Sequence, residues 1–214
     1  MREATFARGA GGGPSEAAPV ILASASRIRL DLLLRAGVPV RAEPARIDEA
    51  ELKSALSAEG AGAREATESL AELKAQRTGR RNSGALVIGA DQLLDCDGRW
   101  FDKPENRERA AADLRALGGK RHALVTSVCV VCDGARLWHH TEAAHLTMRP
   151  LSDAFIADYL AAAGDAVLGS VGAYQIEALG AQLFSHVEGD YFAILGLPLL
   201  PVLEFLRNHG IVPR

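Results

Sequence analysis

A set of polar residues stands where the apolar runs of this sequence break off: Ser24, Ser26 and Arg29, then Glu49, Lys74, Asp91 and Lys103. Arg27 and Arg29 fall in what reads as the first turn of a helix. That end already carries partial positive charge on its exposed N–H groups, so each cation there costs about 0.3–1 kcal/mol at an exposed site. An anion bound in the turn reverses the sign: free backbone N–H groups, the Ser24 and Ser26 hydroxyls and an arginine fork make a phosphate cradle. The plainer reading, a solvent-facing arginine pair on an ordinary capped helix, stays open on this stretch alone. Lys74 and Lys103 add ammonium groups, and Pro104 holds Lys103 in an extended backbone. Glu49 and Asp91 are of the type that holds a hard divalent cation, through one or two carboxylates plus substrate phosphates. A carboxylate beside such a metal also orients or deprotonates a water. The implied chemistry is metal-assisted attack on a phosphoanhydride, with positioning and electrostatics supplying most of the rate. The bland alternatives are a turn-capping Asp91 and a surface Lys103.

These residues need elements to place them. Val20–Ala23 is an apolar run that reads as a buried strand, and the leucine-rich stretch after it reads as a helix capped by Ser26 and closed by Gly37. Residues 38–44 suit a short strand, and 66–80 a charged surface helix with Lys74 beside its apolar stripe. The run 85–90 reads as a second buried strand ending on Asp91 and Gln92, and open α/β sheets bind ligands outside such strand ends. Residues 93–101 look like a hairpin around Asp97–Gly98, and 106–117 like a helix capped by Asn106. A long hairpin, 124–132 with 136–148, turns at Asp133–Gly134, and a helix runs from Ser152 to Gly164. The glycine-rich stretch 169–180 carries Tyr174, Gln175 and Glu177. A last strand over 191–195 and a helix from Pro198 to Arg207 complete the chain. Strands and helices alternate irregularly, with hairpins as well as crossovers, which predicts a mixed α/β sheet rather than a regular doubly wound one.

The 214 residues suffice for a sizeable core, and a net charge of −3 argues against non-specific nucleic-acid binding and a polybasic membrane patch. No apolar run reaches membrane-spanning length. Residues 1–19 read as a flexible Gly/Ala/Pro tail without a secretory apolar core, which predicts a cytoplasmic protein. Cys129 and Cys132 sit three apart on a strand and face opposite ways, so they read as core thiols rather than a metal pair. Adjacent His139 and His140 fail as ligands by the same geometry.

Several motifs then follow one another in order: ILASASRIRLDLLLRAG at 21–37, IDE at 47–49, LKA at 73–75, VIGADQ at 87–92, KP at 103–104, GAYQIEALGAQLF at 172–184 and EGDYFAILGLPL at 188–199. Together they resemble the Maf (septum-formation-inhibitor-like) family of nucleotide pyrophosphatases over residues 20–214. The resemblance implies one domain of a Maf/inosine triphosphate pyrophosphatase-like fold, a curved mixed sheet in two lobes with a central cleft. It implies house-cleaning hydrolysis of a nucleoside triphosphate to the monophosphate and pyrophosphate with Mg2+ or Mn2+, in a homodimer; the charge balance and hydropathy above predict that it binds neither nucleic acid nor membrane. It makes Asp91 the proton acceptor, Glu49 and Asp91 metal-holding carboxylates, Lys74 and Lys103 the two site lysines, and Ser24, Ser26 and Arg29 the phosphate-binding motif. The commonest first motif of the family, Ser-x-Ser-Pro-Arg-Arg, ends here in Arg27, Ile28 and Arg29. Members acting on dTTP and UTP have Arg at the place of Ile28, Thr at Gln92 and Gln at Glu177. The trio Ile28, Gln92, Glu177 instead matches the branch resembling 7-methyl-GTP pyrophosphatase. A lysine common in the glycine-rich stretch is Ser170 here, so its role does not transfer. Pyrimidine or broad specificity, and a nucleotide-binding regulator of septum formation with little turnover, stand as alternatives. The presence of Asp91 together with Glu49 and both lysines favours the enzyme, since a sensor needs the cradle but no water-activating carboxylate.

Overall fold

Two long strands, β3 (Leu86–Cys96) and β5 (Arg121–Cys132), carry the molecule. The computed structural model describes residues 18–214, so the expected tail lies, but for residues 18 and 19, outside the described residues. Along β3 the short strands β1 (Val20–Leu22) and β2 (Val40–Ala42) add on one side in parallel. On the other side β5, β6 (Ala135–Met148) and β7 (Phe184–Glu188) add antiparallel, and β4 (Arg99–Phe101) folds back on the far end of β3. The order β2-β1-β3-β5-β6-β7 is a mixed sheet, as the irregular alternation predicted.

The length of β3 and β5 produces two lobes. Leu86, Ile88 and Ala90 at the start of β3, with Val128 and Val130 of β5, belong to one apolar core under α1 (Arg27–Arg35) and α7 (Leu199–Asn208). Leu94 and Cys96, farther along the same strand, join Leu124 in a second core under α4 (Arg107–Leu117) and α5 (Asp153–Ala163). A third cluster lies where α3 (Ala63–Gly79) sits on the opposite face through Ala71 and Ala75. Between the two large cores β3 has lost a neighbour: β1 ends at Leu22, and the last ladder bond on that side runs from Ala23 N–H to the Ile88 carbonyl. The cleft opens at this free edge.

Three expectations are corrected, and one element was not foreseen. Asp91 does not end its strand; β3 continues to Cys96, and it is β1 that stops. The helix over 66–80 is no surface helix: Ala66, Thr67, Leu70, Ala71, Lys74, Ala75, Thr78 and Gly79 are buried, and small side chains let it lie directly on the sheet. Residues 49–58 form a helix, α2 (Glu49–Ala58), which buries none of its residues and so leaves no apolar stripe to read. The apolar run from Tyr191 forms a helical turn, α6 (Tyr191–Ile194), because the Asp190 carboxylate accepts from Ala193 N–H at 2.7 Å; that cap overrides the strand propensity of the run. Among the described residues, no helix is long and apolar enough to cross a membrane.

Candidate active site

The free edge of β3 leaves a carbonyl without a strand partner, and this decides where Arg29 goes. Period-two alternation points the Ala90 carbonyl the same way as that of Ile88, toward the place β1 has vacated. Arg29 Nη1 donates to it at 2.9 Å and to Ser24 Oγ at 3.2 Å, while Nε donates to the Gly196 carbonyl at 2.6 Å. Arg29 is 9 % exposed, so the cradle reading holds only in part. Its guanidinium first joins α1 to the middle of β3 and to Gly196 just past the end of α6, and only Nη2 is left without a protein acceptor among the described residues. Burial lowers its pKa, against the opposing pull of Asp91 and Glu49. The first turn of α1 is capped as expected: Ser26 Oγ accepts from Arg29 N–H, and Ser24 Oγ accepts from Ser26 N–H. Arg27 is exposed and stands outside the cleft, as the plainer reading had it.

Asp91 faces α3. Gly89, two residues earlier on the same face, lets the helix approach, and Lys74 meets Asp91 Oδ1 at 2.6 Å with both side chains buried. Lys74 also holds Glu49, from the first turn of α2, at 2.9 Å. Burial pushes the Glu49 carboxyl up, but the Lys74 ammonium outweighs it and holds the group below the usual range. The second oxygen of Asp91, Oδ2, is buried and has no hydrogen-bond partner among the described residues. A buried, unpartnered carboxylate oxygen is rare and calls for a ligand.

Gln92 points to the opposite face yet borders the same cleft. Its Nε2 is held by the Thr126 hydroxyl and by the Ala193 and Ile194 carbonyls, which leaves Oε1 as its uncommitted atom. Lys103 forms no ion pair among the described residues; burial and then the neighbouring Arg29 push its ammonium down. Ser24, Ser26, Ile28, Arg29, Glu49, Lys74, Asp91, Gln92, Lys103 and Glu177 thus border one cleft of about 570 Å³. Every site residue expected from the sequence is brought together there. Four cations (Arg29, Lys53, Lys74, Lys103) face five carboxylates (Glu49, Asp91, Asp102, Glu105, Glu177). A polyanion therefore meets no net positive field in this cleft.

Two features escaped the sequence. Lys53 borders the cleft one helical turn after Glu49; recognising α2 would have exposed that i,i+4 spacing. The second is a tie beneath the Glu177 loop. The hydroxyl of buried Tyr174 lies 2.8 Å from Nε2 of His122, and the Tyr159 hydroxyl donates to the carbonyl of Ala173, which has a φ of +61°. Tyr174 and Ala173 are thereby fixed in a strained turn next to Gln175 and Glu177.

Burial, helped by His145, pushes the His122 imidazole down to about 4, against about 6.5 in an unfolded chain. Between those values the unfolded state binds a proton that the folded state does not, so this group's contribution is intact above pH 6.5 and shrinks as pH falls toward 4. His122→Gln should flatten the acid limb of a stability–pH curve measured by chemical denaturation. An unchanged slope between pH 6.5 and 4.5 would show that other groups set that limb.

The family model described as Maf-like protein matches residues 19–209. A nucleoside triphosphate pyrophosphatase of Paramagnetospirillum magneticum is 54% identical over 194 residues, covering 90% of this chain and 100% of that protein. One of Granulibacter bethesdensis is 52% identical over 190 residues, covering 89% and 96%. A solved nucleoside-triphosphatase / dITP/XTP pyrophosphatase of Mycobacterium abscessus overlays with a TM-score of 0.42 at 16% identity, covering 91% of this chain and 98% of that one.

Proposed function

This chain belongs to the Maf family, and we propose that it hydrolyses a nucleoside triphosphate to the monophosphate and pyrophosphate, with residues 20–214 as the catalytic unit. The names of its relatives support the reaction class. The observation that carries the reading is Asp91: one oxygen is held by buried Lys74 and the other is buried without a partner at the cleft wall. A carboxylate fixed in this way keeps its second oxygen free to take a proton from water. That water attacks the α-phosphorus, the bond from the α-phosphorus to the bridging oxygen breaks, and the pyrophosphate leaves. Ser24, Ser26 and the first N–H groups of α1 hold phosphate oxygens at the positive end of the helix. Lys103, with no carboxylate committed to it, faces the developing negative charge.

A divalent cation fits this donor set. Asp91 Oδ2 lacks a partner, Glu49 lies on the same ammonium, and the excess of carboxylates leaves a triphosphate undercompensated without further positive charge. Glu49 and Asp91 would hold Mg2+ or Mn2+, which neutralises phosphate charge when bound.

The base is read at the other end of the cleft. Gln92 Oε1 and the exposed Glu177 carboxylate offer acceptors, which suit the N–H donors of a guanine edge, and a carboxylate also attracts the positive charge of an N7-methylated ring. This favours 7-methyl-GTP. The test is pyrophosphate release from 7-methyl-GTP, GTP, dTTP, UTP, CTP and ATP, with Mg2+, with Mn2+ and with chelator. Selective turnover of 7-methyl-GTP is expected, and Gln92→Thr with Glu177→Gln should move preference toward pyrimidines. An unchanged ranking in that double variant would refute the assignment of the specificity residues. Metal-independent turnover would refute the cation site.

A further inference from the structure

The cleft offers a polyphosphate fewer free cations than its composition suggests. Lys74 is shared between Asp91 and Glu49, and Arg29 is spent mainly on two carbonyls and a hydroxyl. Besides Lys103 one ammonium remains, Lys53, and its situation is unusual. It comes from α2, a helix that buries none of its residues. It lies inside the cleft with only 11% of its side chain exposed, while its ion-pair partner Asp102 is 59% exposed. Burial pulls its pKa down, but the carboxylates of Asp91, Asp102 and Glu49 outweigh this and keep the ammonium charged. Asp102 is therefore a hydrated, easily released partner holding a dehydrated cation. The ties of α2 to the cleft, Glu49 to Lys74 and Lys53 to Asp102, are both made by groups for which a metal-bound polyphosphate competes.

We infer that Lys53 is a substrate-binding residue that exchanges Asp102 for the β- and γ-phosphates and holds the leaving pyrophosphate, with α2 drawn onto the nucleotide by that exchange. The inference rests on the pyrophosphatase reading above for the identity of the leaving group. On hydrolysis negative charge moves onto the pyrophosphate, away from the Asp91 side where Lys74 is committed. An ammonium held by one hydrated carboxylate, on a helix that buries none of its residues, is suited to follow that charge and release it with the product.

The test separates product fragments. Inorganic pyrophosphate and GMP are titrated calorimetrically, with Mg2+, into the wild type, Lys53→Met, Lys53→Arg and Asp102→Asn, and turnover of the nucleotide panel is measured in parallel. Lys53→Met should weaken pyrophosphate binding about tenfold or more, as expected for one lost charge-assisted hydrogen bond, and leave GMP within about twofold. Lys53→Arg should recover part of the loss, and Asp102→Asn, which frees the ammonium, should tighten pyrophosphate rather than weaken it. Unchanged pyrophosphate affinity in Lys53→Met would overturn the inference. So would equal losses for pyrophosphate and GMP, or an Asp102→Asn variant as weak as Lys53→Met, since these mark a helix anchor. Absence of turnover by a wild type that still binds pyrophosphate through Lys53 would overturn the pyrophosphatase reading and leave the binding role standing.

Discussion

Asp91→Asn is expected to reduce turnover by about 10³-fold, within the range for losing a positioned general base, while nucleotide affinity stays within about threefold. The amide has the shape of the carboxylate and its oxygen still accepts from the Lys74 ammonium, now 2.6 Å from Oδ1. What disappears is the lone pair able to take a proton at Oδ2 and the negative charge that keeps it basic. Affinity should survive because most phosphate-binding groups lie elsewhere, on the first turn of α1 and at Lys53 and Lys103, and Glu49 remains to hold a cation. Stability should fall as well. Lys74 is 4% exposed, and without Asp91 its charge is left to Glu49, whose side chain is 45% exposed and screened by water. A loss of about 1–3 kcal/mol, typical for a buried charged group deprived of one partner, is the expected shift in denaturation. The two readouts separate the roles. A folded variant that loses binding and turnover alike would leave Asp91 only its metal-holding role and remove it as the base. A variant retaining more than about a tenth of wild-type turnover would remove it as the base.

Much of this was legible because the chemistry stands where apolar patterns break. Asp91 and Gln92 follow an apolar run, and Ser26 precedes a leucine-rich one, so strand and cap were readable from local pattern. The partners that complete each residue were not. Nothing local says that β1 stops at Leu22, yet this leaves the Ala90 carbonyl for Arg29 and converts an apparent phosphate fork into a scaffold. Nothing local marks α2, because a helix without buried side chains has no periodic stripe, and with it went Lys53. The helix under Asp91 was misplaced for a related reason. Its contact face is built of Ala71, Ala75 and Gly79, small residues that read as weakly apolar although they let the helix backbone lie directly against Gly89 of the sheet. The four-residue turn at Tyr191 shows the limit from the other side: one Asp cap outweighs an aromatic and β-branched run that reads as strand.

That close packing makes Gly89→Ala the most damaging single methyl group to add. A Cβ at Gly89 would lie 2.0 Å from the Ala71 carbonyl oxygen, 2.8 Å from the Ala75 nitrogen and 2.9 Å from the Ala75 Cβ. The nearest two are helix backbone atoms, so no rotamer change relieves them, and α3 must back away from β3 as a body. The backbone of Gly89 has no positive φ, so the effect is one of space alone. Overpacking of a core usually costs 1–3 kcal/mol; a clash with fixed backbone across a helix–sheet contact should exceed about 4 kcal/mol or prevent folding. Gly62→Ala is the control: it precedes the same helix, has nothing within 4 Å of its Cβ and no positive φ, and should cost below about 1 kcal/mol. The comparison is made by denaturant midpoints of the two variants. Gly89→Ala within 1 kcal/mol of the wild type would mean that α3 can slide on the sheet without penalty. If the variant folds, the damage should reach the chemistry, because Lys74 rides on the displaced helix between Ala71 and Ala75. Moving it from Asp91 takes away the contact that fixes the carboxylate, so turnover should fall even in the folded fraction.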